Sequence, residues 1–272
     1  MKRLLGFILL TLFILINVSL TFGLGLYQDQ AQAMCVDTGD AWACGLAAQG
    51  IMLPAPADEK PGSAADWLNK GVALFSQGKY DEAIQDYDMA LNLNPQYADA
   101  WNNIGVALNH QGKHDEAIQA YDKATNLNPQ LPNPWGNKGD SLKALLKYDE
   151  AIQAYDRAIE IDPRWAGPWI GKSLAFNNQG KAVEALACDQ KALELDMQNA
   201  LAWYAQGDAL LNLGYPDKAV QSYDKAIELG QQNHQNILPD SWGHKSIALK
   251  KLGRTAEANE AFATAREMGY SG

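Results

Sequence analysis

Three asparagines, Asn69, Asn103 and Asn137, recur at intervals of 34 residues. A primary amide offers both donors and an acceptor, so it pairs with any peptide backbone whatever side chains that backbone carries. A ladder of such amides is chemistry for holding a chain rather than for breaking a bond. The sequence has no H-E-x-x-H, no phosphate-binding loop, no dinucleotide-binding glycine fingerprint and no nucleophile elbow. Its four histidines are His110, His114, His234 and His244. His110 and His114 have the i, i+4 spacing of a helical metal pair, but Gly112 stands between them where a turn is expected, so they do not share a helix face. Cys188 has no activating histidine motif beside it and reads as a buried structural thiol. No catalytic residue, metal site or cofactor is expected.

The elements that must position the asparagines are marked by tryptophan. Trp67, Trp101, Trp135, Trp169, Trp203 and Trp242 recur at intervals of 34, 34, 34, 34 and 39 residues. Such a period is the signature of stacked supersecondary units. Gly71, Gly105, Gly139 and Gly207 fall at one phase inside predicted helices, where glycine costs about 1 kcal/mol against alanine. A cost repeated at a fixed phase implies a helix–helix approach too close for a side chain. Ala83, Ala117, Ala151, Ala185, Ala219 and Ala258 are the small residues of the second helix, and Ala90, Ala124, Ala158, Ala192, Ala226 and Ala265 follow seven residues later on nearly the same face. Tyr87, Tyr121, Tyr155, Tyr223 and Phe262 are expected to fill the space between paired helices. Asn94–Pro95, Asn128–Pro129 and Asp162–Pro163 end second helices, because proline disfavours helix in the residue before it.

The second copy reads Trp101–Asn–Asn–Ile104–Gly105–Val–Ala–Leu108, then Gly112–Lys–His–Asp115–Glu116–Ala117–Ile–Gln–Ala–Tyr121–Asp–Lys–Ala124, then Leu127–Asn–Pro129. This phrase resembles the tetratricopeptide repeat family, with copies at 64–97, 98–131, 132–165, 166–199, 200–233 and 239–272. The resemblance implies an all-α, right-handed superhelical solenoid of six helix–turn–helix repeats, whose usual work is binding another chain. The fourth copy departs most, with Ser173 for glycine, Asp189 for the aromatic and Met197 for proline. The wider spacing between Leu229 and Trp242 is read as an enlarged loop between repeats. In the last copy Asn259 and Arg266 stand where earlier copies are mostly apolar, as a polar cap on the array would.

The resemblance also implies that first helices line the concave surface. The asparagine phase continues as Gly171, Ala205 and His244, and neighbouring groove phases add Asn109, Asp140, Asn177, Asn178, Tyr204, Asp208 and Asn212. Together with Asn69, Asn103 and Asn137 these are the expected partner-binding residues, with the three asparagines forming a concave ladder for an extended peptide. The lysine and asparagine of the family's carboxylate clamp are absent, so recognition of a free C-terminus is not implied.

Ahead of the array, Met1–Lys2–Arg3 precedes a mostly apolar run from Leu4 to Leu26, long enough to span a bilayer core as helix. Ala31–Gln32–Ala33 has the pattern of a signal-peptidase site. Residues 1–33 are therefore a signal-anchor helix or a signal peptide cleaved after Ala33, and either fate places the rest outside the cytoplasm. Gln32–Ala33–Met34 does not fit a lipobox ahead of Cys35. Residues 34–63 read as a tether on which Cys35 and Cys44 could close a disulfide loop.

Composition narrows the function classes. The net charge is −10 and the sequence pI about 4.8, against nucleic acid, which demands a basic stripe. Phrases such as Asp81–Glu82, Asp115–Glu116 and Asp149–Glu150 open second helices, where carboxylates favour the positive dipole end. The leading expectation is an exported, membrane-tethered scaffold that binds an extended segment of a partner protein. Membrane contact is expected through the N-terminal segment alone. A surface glycan binder and a self-associating structural module are the alternatives.

Overall fold

The computed structural model describes residues 62–233 and 237–271. Among the described residues lie twelve α-helices and no strand, arranged as six antiparallel pairs. They are α1 (Ala64–Ser76) with α2 (Tyr80–Leu93), α3 (Ala98–His110) with α4 (His114–Leu127), α5 (Pro132–Ala144) with α6 (Tyr148–Ile161), α7 (Ala166–Asn178) with α8 (Ala182–Leu195), α9 (Ala200–Asn212) with α10 (Pro216–Gln232), and α11 (Leu238–Lys251) with α12 (Thr255–Glu267). Each second helix packs on its own partner and on the first helix of the next pair. First helices also touch the first helices of neighbouring repeats, whereas second helices make no comparable contact with one another. Because first helices crowd together and second helices splay apart, the stack curves with its first helices on the inner face.

Local chemistry sets each boundary. Ser63 caps α1 in a reciprocal box: its Oγ accepts from the Asp66 N–H at 3.1 Å and the Asp66 carboxylate accepts from the Ser63 N–H at 3.1 Å. The turn inside each pair needs one residue of positive φ, supplied by Gly78, Gly112, Gly180, Gly214 and Gly253. The third repeat puts Leu146 there, at φ 60°. Second helices end at Asn94, Asn128 and Asp162 in extended conformation, as the following prolines require. Asp196 ends α8 in the same way although Met197 follows it, because its Oδ1 accepts from the Gln198 N–H at 2.9 Å. That aspartate turn absorbs the missing proline. Three joints between repeats are then clasped by tryptophan. The Nε1–H of Trp135, Trp169 and Trp203 donates to the carbonyl six residues earlier, on Pro129, Pro163 and Met197, at 3.2, 3.3 and 2.9 Å.

The core is the expected one. The second-helix alanines are buried, and Tyr87, Tyr121, Tyr155 and Tyr223 are sealed between helices. A methyl group on Gly71, Gly105, Gly139 or Gly207 would lie 2.4–2.5 Å from a ring carbon of Tyr87, Tyr121, Tyr155 or Tyr223 respectively. Glycine is thus required by the tyrosine of its own repeat.

Three expectations need correction or restriction. Phe262 does not fill a closed space: it is 38% exposed and meets the Tyr270 ring edge-on, and no further helix among the described residues covers it. The extra residues after Leu229 are not all loop, since α10 continues through Gln232. Asn259 and Arg266 are exposed on α12, as expected. Residues 1–33, the tether up to residue 61 and the Cys35–Cys44 pair lie outside the described residues. No helix among the described residues is long and apolar enough to cross a membrane.

Candidate functional site

The inner face is built by α1, α3, α5, α7, α9 and α11, and its polar side chains fall into two groups. The first belongs to repeats two and three. Asn137 Nδ2 donates to Asn102 Oδ1 at 3.0 Å, and Asn102 Nδ2 donates to Asn103 Oδ1 at 3.2 Å. One amide chain therefore ties α3 to α5. One turn further along, Asn109 Oδ1 accepts from Ser141 Oγ at 2.8 Å and lies 2.7 Å from His114 Nδ1.

This group corrects the expected ladder. Asn69 is exposed, but Asn103 is fully buried and Asn137 is 8% exposed. Repeat position gives the phase of a residue on its helix, yet the close approach of first helices decides whether that phase sees solvent. Of the three, only Asn69 could be cut back to alanine without removing buried contacts. Asn102, which sequence reasoning did not single out, is the link between the other two.

The second group spans repeats five and six. Asp208 Oδ1 accepts from the Tyr223 hydroxyl at 2.7 Å and lies 2.6 Å from His244 Nδ1. The Tyr204 hydroxyl is 3.4 Å from the same nitrogen, and the Tyr204 ring lies 5.2 Å from the imidazole. Tyr223 and Tyr270 meet the imidazole edge-on at 6.2 and 6.4 Å. Burial lowers the pKa of His244, but the hydrogen bond and charge of Asp208, with the charge of Asp240, outweigh it and leave it raised. Burial raises the Tyr204 and Tyr223 phenols, and Asp208 raises both further. Three tyrosines, Tyr204, Tyr223 and Tyr270, thus stay protonated around one carboxylate and one imidazole. The signal for His244 was available, since it occupies the asparagine phase of the sixth repeat.

Asp140 repeats the motif two repeats earlier. Its Oδ1 accepts from the Tyr155 hydroxyl at 2.7 Å and from Lys143 Nζ at 3.2 Å. Between the two groups, α7 contributes little polar reach to the face. Asn178 is exposed and bonds back to the Leu174 carbonyl at 2.8 Å, while Asn177 donates across the joint to the Ala205 carbonyl at 3.1 Å. Asn212 is exposed at the end of α9. The expected site residues therefore do not form one continuous row.

The remaining candidates have structural roles. His110 packs against the Phe75 and Tyr80 rings at 5.0 and 5.4 Å, and His114 opens the next helix, so the two do not converge. Cys188 is buried and its thiol is pushed up to about 11, chiefly by desolvation. Among the described residues no group of three histidine, cysteine or acidic side chains is placed to hold a metal.

Comparison with known proteins agrees with this architecture. Tetratricopeptide repeat models match residues 57–97, 68–132, 132–164 and 200–233. Among curated proteins none matches the sequence. The fold is similar to that of the Cut9–Hcn1 complex of the APC/C, with a TM-score of 0.73 and 17% identity over 92% of this chain and 47% of that one. It is similar to Pseudomonas aeruginosa pilF, with a TM-score of 0.65 and 19% identity over 77% and 93% of the two chains. It is also similar to YrrB, described as a TPR protein with an unusual peptide-binding site, with a TM-score of 0.51 and 21% identity over 72% and 95%.

Proposed function

We infer, because this chain belongs to the tetratricopeptide repeat family, that it is a scaffold whose inner face holds an extended segment of a partner protein. The observation that carries this reading is the placement of hydrogen-bonding side chains on first helices at both ends of that face. Asn69 is exposed on the first of these helices, and the partly exposed Asp208 and His244 near the other end are pre-aligned by their mutual bond, while Asn102, Asn103 and Asn137 lie buried behind the face. Groups already fixed lose little rotamer freedom when a ligand arrives. YrrB, whose fold is shared, is itself described as binding peptide, which supports the reading.

A photo-crosslinking amino acid at Asn69, on the inner face, should trap a partner in the native cell extract. The same group at Gln153, exposed on second helix α6, should not. Equal trapping from both positions would move the interface off the inner face.

We place the scaffold outside the cytoplasm, tethered by its N-terminal segment. Lys2 and Arg3 ahead of the apolar run to Leu26 support this. Protease added to intact cells should digest the repeats, and protection until lysis would overturn the placement. The mass of the mature chain distinguishes an anchor from cleavage after Ala33.

A further inference from the structure

Three consecutive turns along one edge of the stack expose apolar side chains where other repeats are polar or have glycine. Leu146 of the third repeat stands in the register of Gly112, Gly180 and Gly214. Val183 of the fourth stands in the register of Asp115, Asp149 and Asp217, and Tyr215 of the fifth in that of Lys113, Lys147 and Lys181. The three are 69%, 67% and 53% exposed. Two of these departures are unfavourable within the chain, and no packing offsets them. Leu146 holds a left-handed backbone that favours glycine. Val183 gives up a carboxylate in the first turn of α8, where the helix dipole favours one. Strain kept at an exposed residue points to a role outside its own chain.

The three turns belong to one surface. Gln179 Nε2 donates to Asp149 Oδ1 at 2.8 Å, which ties the fourth turn to the third. Leu186 of α8 packs against the Leu210, Leu211 and Val220 cluster of the fifth repeat. An apolar centre with a charged rim is the anatomy of a protein interface. Here the rim says what covers the centre. Lys147, Lys181 and Lys218 are exposed among the equally exposed Asp149, Glu184 and Asp217. Signs balance at this edge in a chain whose net charge is −10. An anionic lipid surface or a strongly basic partner would meet repulsion as often as attraction there.

A second copy meets its own opposites. Rotation about a two-fold axis at the middle turn sets Val183 against Val183 and Leu146 against Tyr215. The same rotation sets Lys147 against Asp217, Lys218 against Asp149, and Lys181 against Glu184. Lys147 has Asp115 at 3.6 Å, whereas Lys181, Lys218, Glu184 and Asp217 have no ion-pair partner among the described residues. We propose that the turn edge of repeats three to five docks a second copy of this chain, in a two-fold dimer centred on Val183. The interface is made of turns and not of first-helix faces, so both inner faces stay open in the dimer.

The test uses the full chain in mild detergent, with Cys35 and Cys44 changed to serine and the buried Cys188 kept. Val183→Cys should form a covalent dimer under a mild thiol oxidant, because a residue on the axis lies within the ~7 Å Cα limit of its own copy. Leu146→Cys and Tyr215→Cys should crosslink several-fold better when mixed than either does alone. Gln153→Cys, exposed on α6, gives the background. The triple variant Leu146→Gly, Val183→Asp, Tyr215→Lys restores residues that other repeats carry, so it keeps the fold. It should weaken dimerisation in sedimentation by at least roughly tenfold, through lost apolar burial. Its N-terminal segment is that of the natural chain, so association through that segment cancels in the comparison. Association through an altered α12 end is read in this triple variant, where the turn edge is silent. Equal association of the natural chain and the triple variant, a natural chain that stays monomeric at high concentration, or Val183→Cys crosslinking no better than Gln153→Cys overturns the dimer.

Discussion

Asp189 stands beside Ser173 in the fourth repeat at the place where Tyr121 is pressed against Gly105 in the second. The two substitutions are one change. A ring at residue 189 would strike the Ser173 side chain, just as Tyr121 would strike a methyl at Gly105, 2.4 Å away. Asp189→Tyr alone should therefore destabilise the array by ~1–3 kcal/mol through overpacking. Ser173→Gly alone should cost about 0.5 kcal/mol of helix propensity. The double variant should exceed the sum of the two by roughly 1–3 kcal/mol, the scale of coupling between touching residues. Additive urea midpoints would show that the pair is not coupled.

The same carboxyl gives the array a pH dependence with a definite sign. Burial pushes Asp189 up to about 8, Ser173 draws it down and Asp208 adds to the rise. An unfolded aspartate loses its proton near pH ~4, while the folded one keeps it until about 8. The native state thus binds more protons across that window, and stability falls as pH rises through it, then levels off above it. The fall from pH 5 to 8 should be steeper in the natural chain than in Asp189→Asn, by at most ~1.4 kcal/mol per pH unit. Parallel curves would mean that Asp189 is ionised in the folded protein at neutral pH.

At the turn of the third repeat, Leu146 holds a positive φ that five glycines hold elsewhere, and its side chain is 69% exposed. Nothing is gained by packing to offset the strain. Leu146→Gly should raise stability by ~0.5–1 kcal/mol, the left-handed penalty less the extra freedom glycine brings to the unfolded chain. A lowered melting temperature would contradict this.

How much was legible in advance follows from these residues. The glycine–tyrosine register was readable because a mid-helix glycine has a cost that only a close neighbour explains. The substitute turn at Asp196 was not anticipated from Met197, since the aspartate, not the proline, makes the turn. Leu146 lay in plain sight, 34 residues from Gly112 and from Gly180, once the turn phase is followed instead of the tryptophan phase. The Asp208–His244 pair was hidden because its members come from different positions of successive repeats. Periodicity aligns like with like and says nothing of such diagonal partners.

Burial separates the three laddered asparagines. Asn103→Ala should cost ~1–3 kcal/mol, because it leaves a buried amide partner unsatisfied. Asn69→Ala should stay within ~0.5 kcal/mol, as exposed substitutions do. Asn69 is therefore the position at which lost binding can be read without lost folding. A stable Asn103→Ala protein would show that the amide chain carries no structural weight.

The exposed end of α12 offers a test of polar capping. Asn259→Leu with Arg266→Ile should recreate an inward-type surface there and produce concentration-dependent self-association in sedimentation, with helix content retained. A double variant that stays monomeric at high concentration would show that these two side chains do not keep the end apart from its copies.

The joints between repeats differ in their fastenings, and this has a mechanical consequence. Lys138–Asp122, Lys172–Asp156 and Lys245–Asp224 brace three joints at 2.5, 2.5 and 2.6 Å. The joint between the fourth and fifth repeats has Gln206 and Gln190 at the corresponding places, and the first joint has Ile104 and Asp88. A solenoid passes load only from neighbour to neighbour, so its bending behaves like springs in series and the most compliant one takes most of the strain. The fourth joint, fastened without that ion pair, lies between the amide chain of the second and third repeats and the Asp208–His244 pair of the last two. A segment gripped on both sides of that joint would act as a bowstring across it, and the distance between its two anchors would be felt as curvature of the whole array.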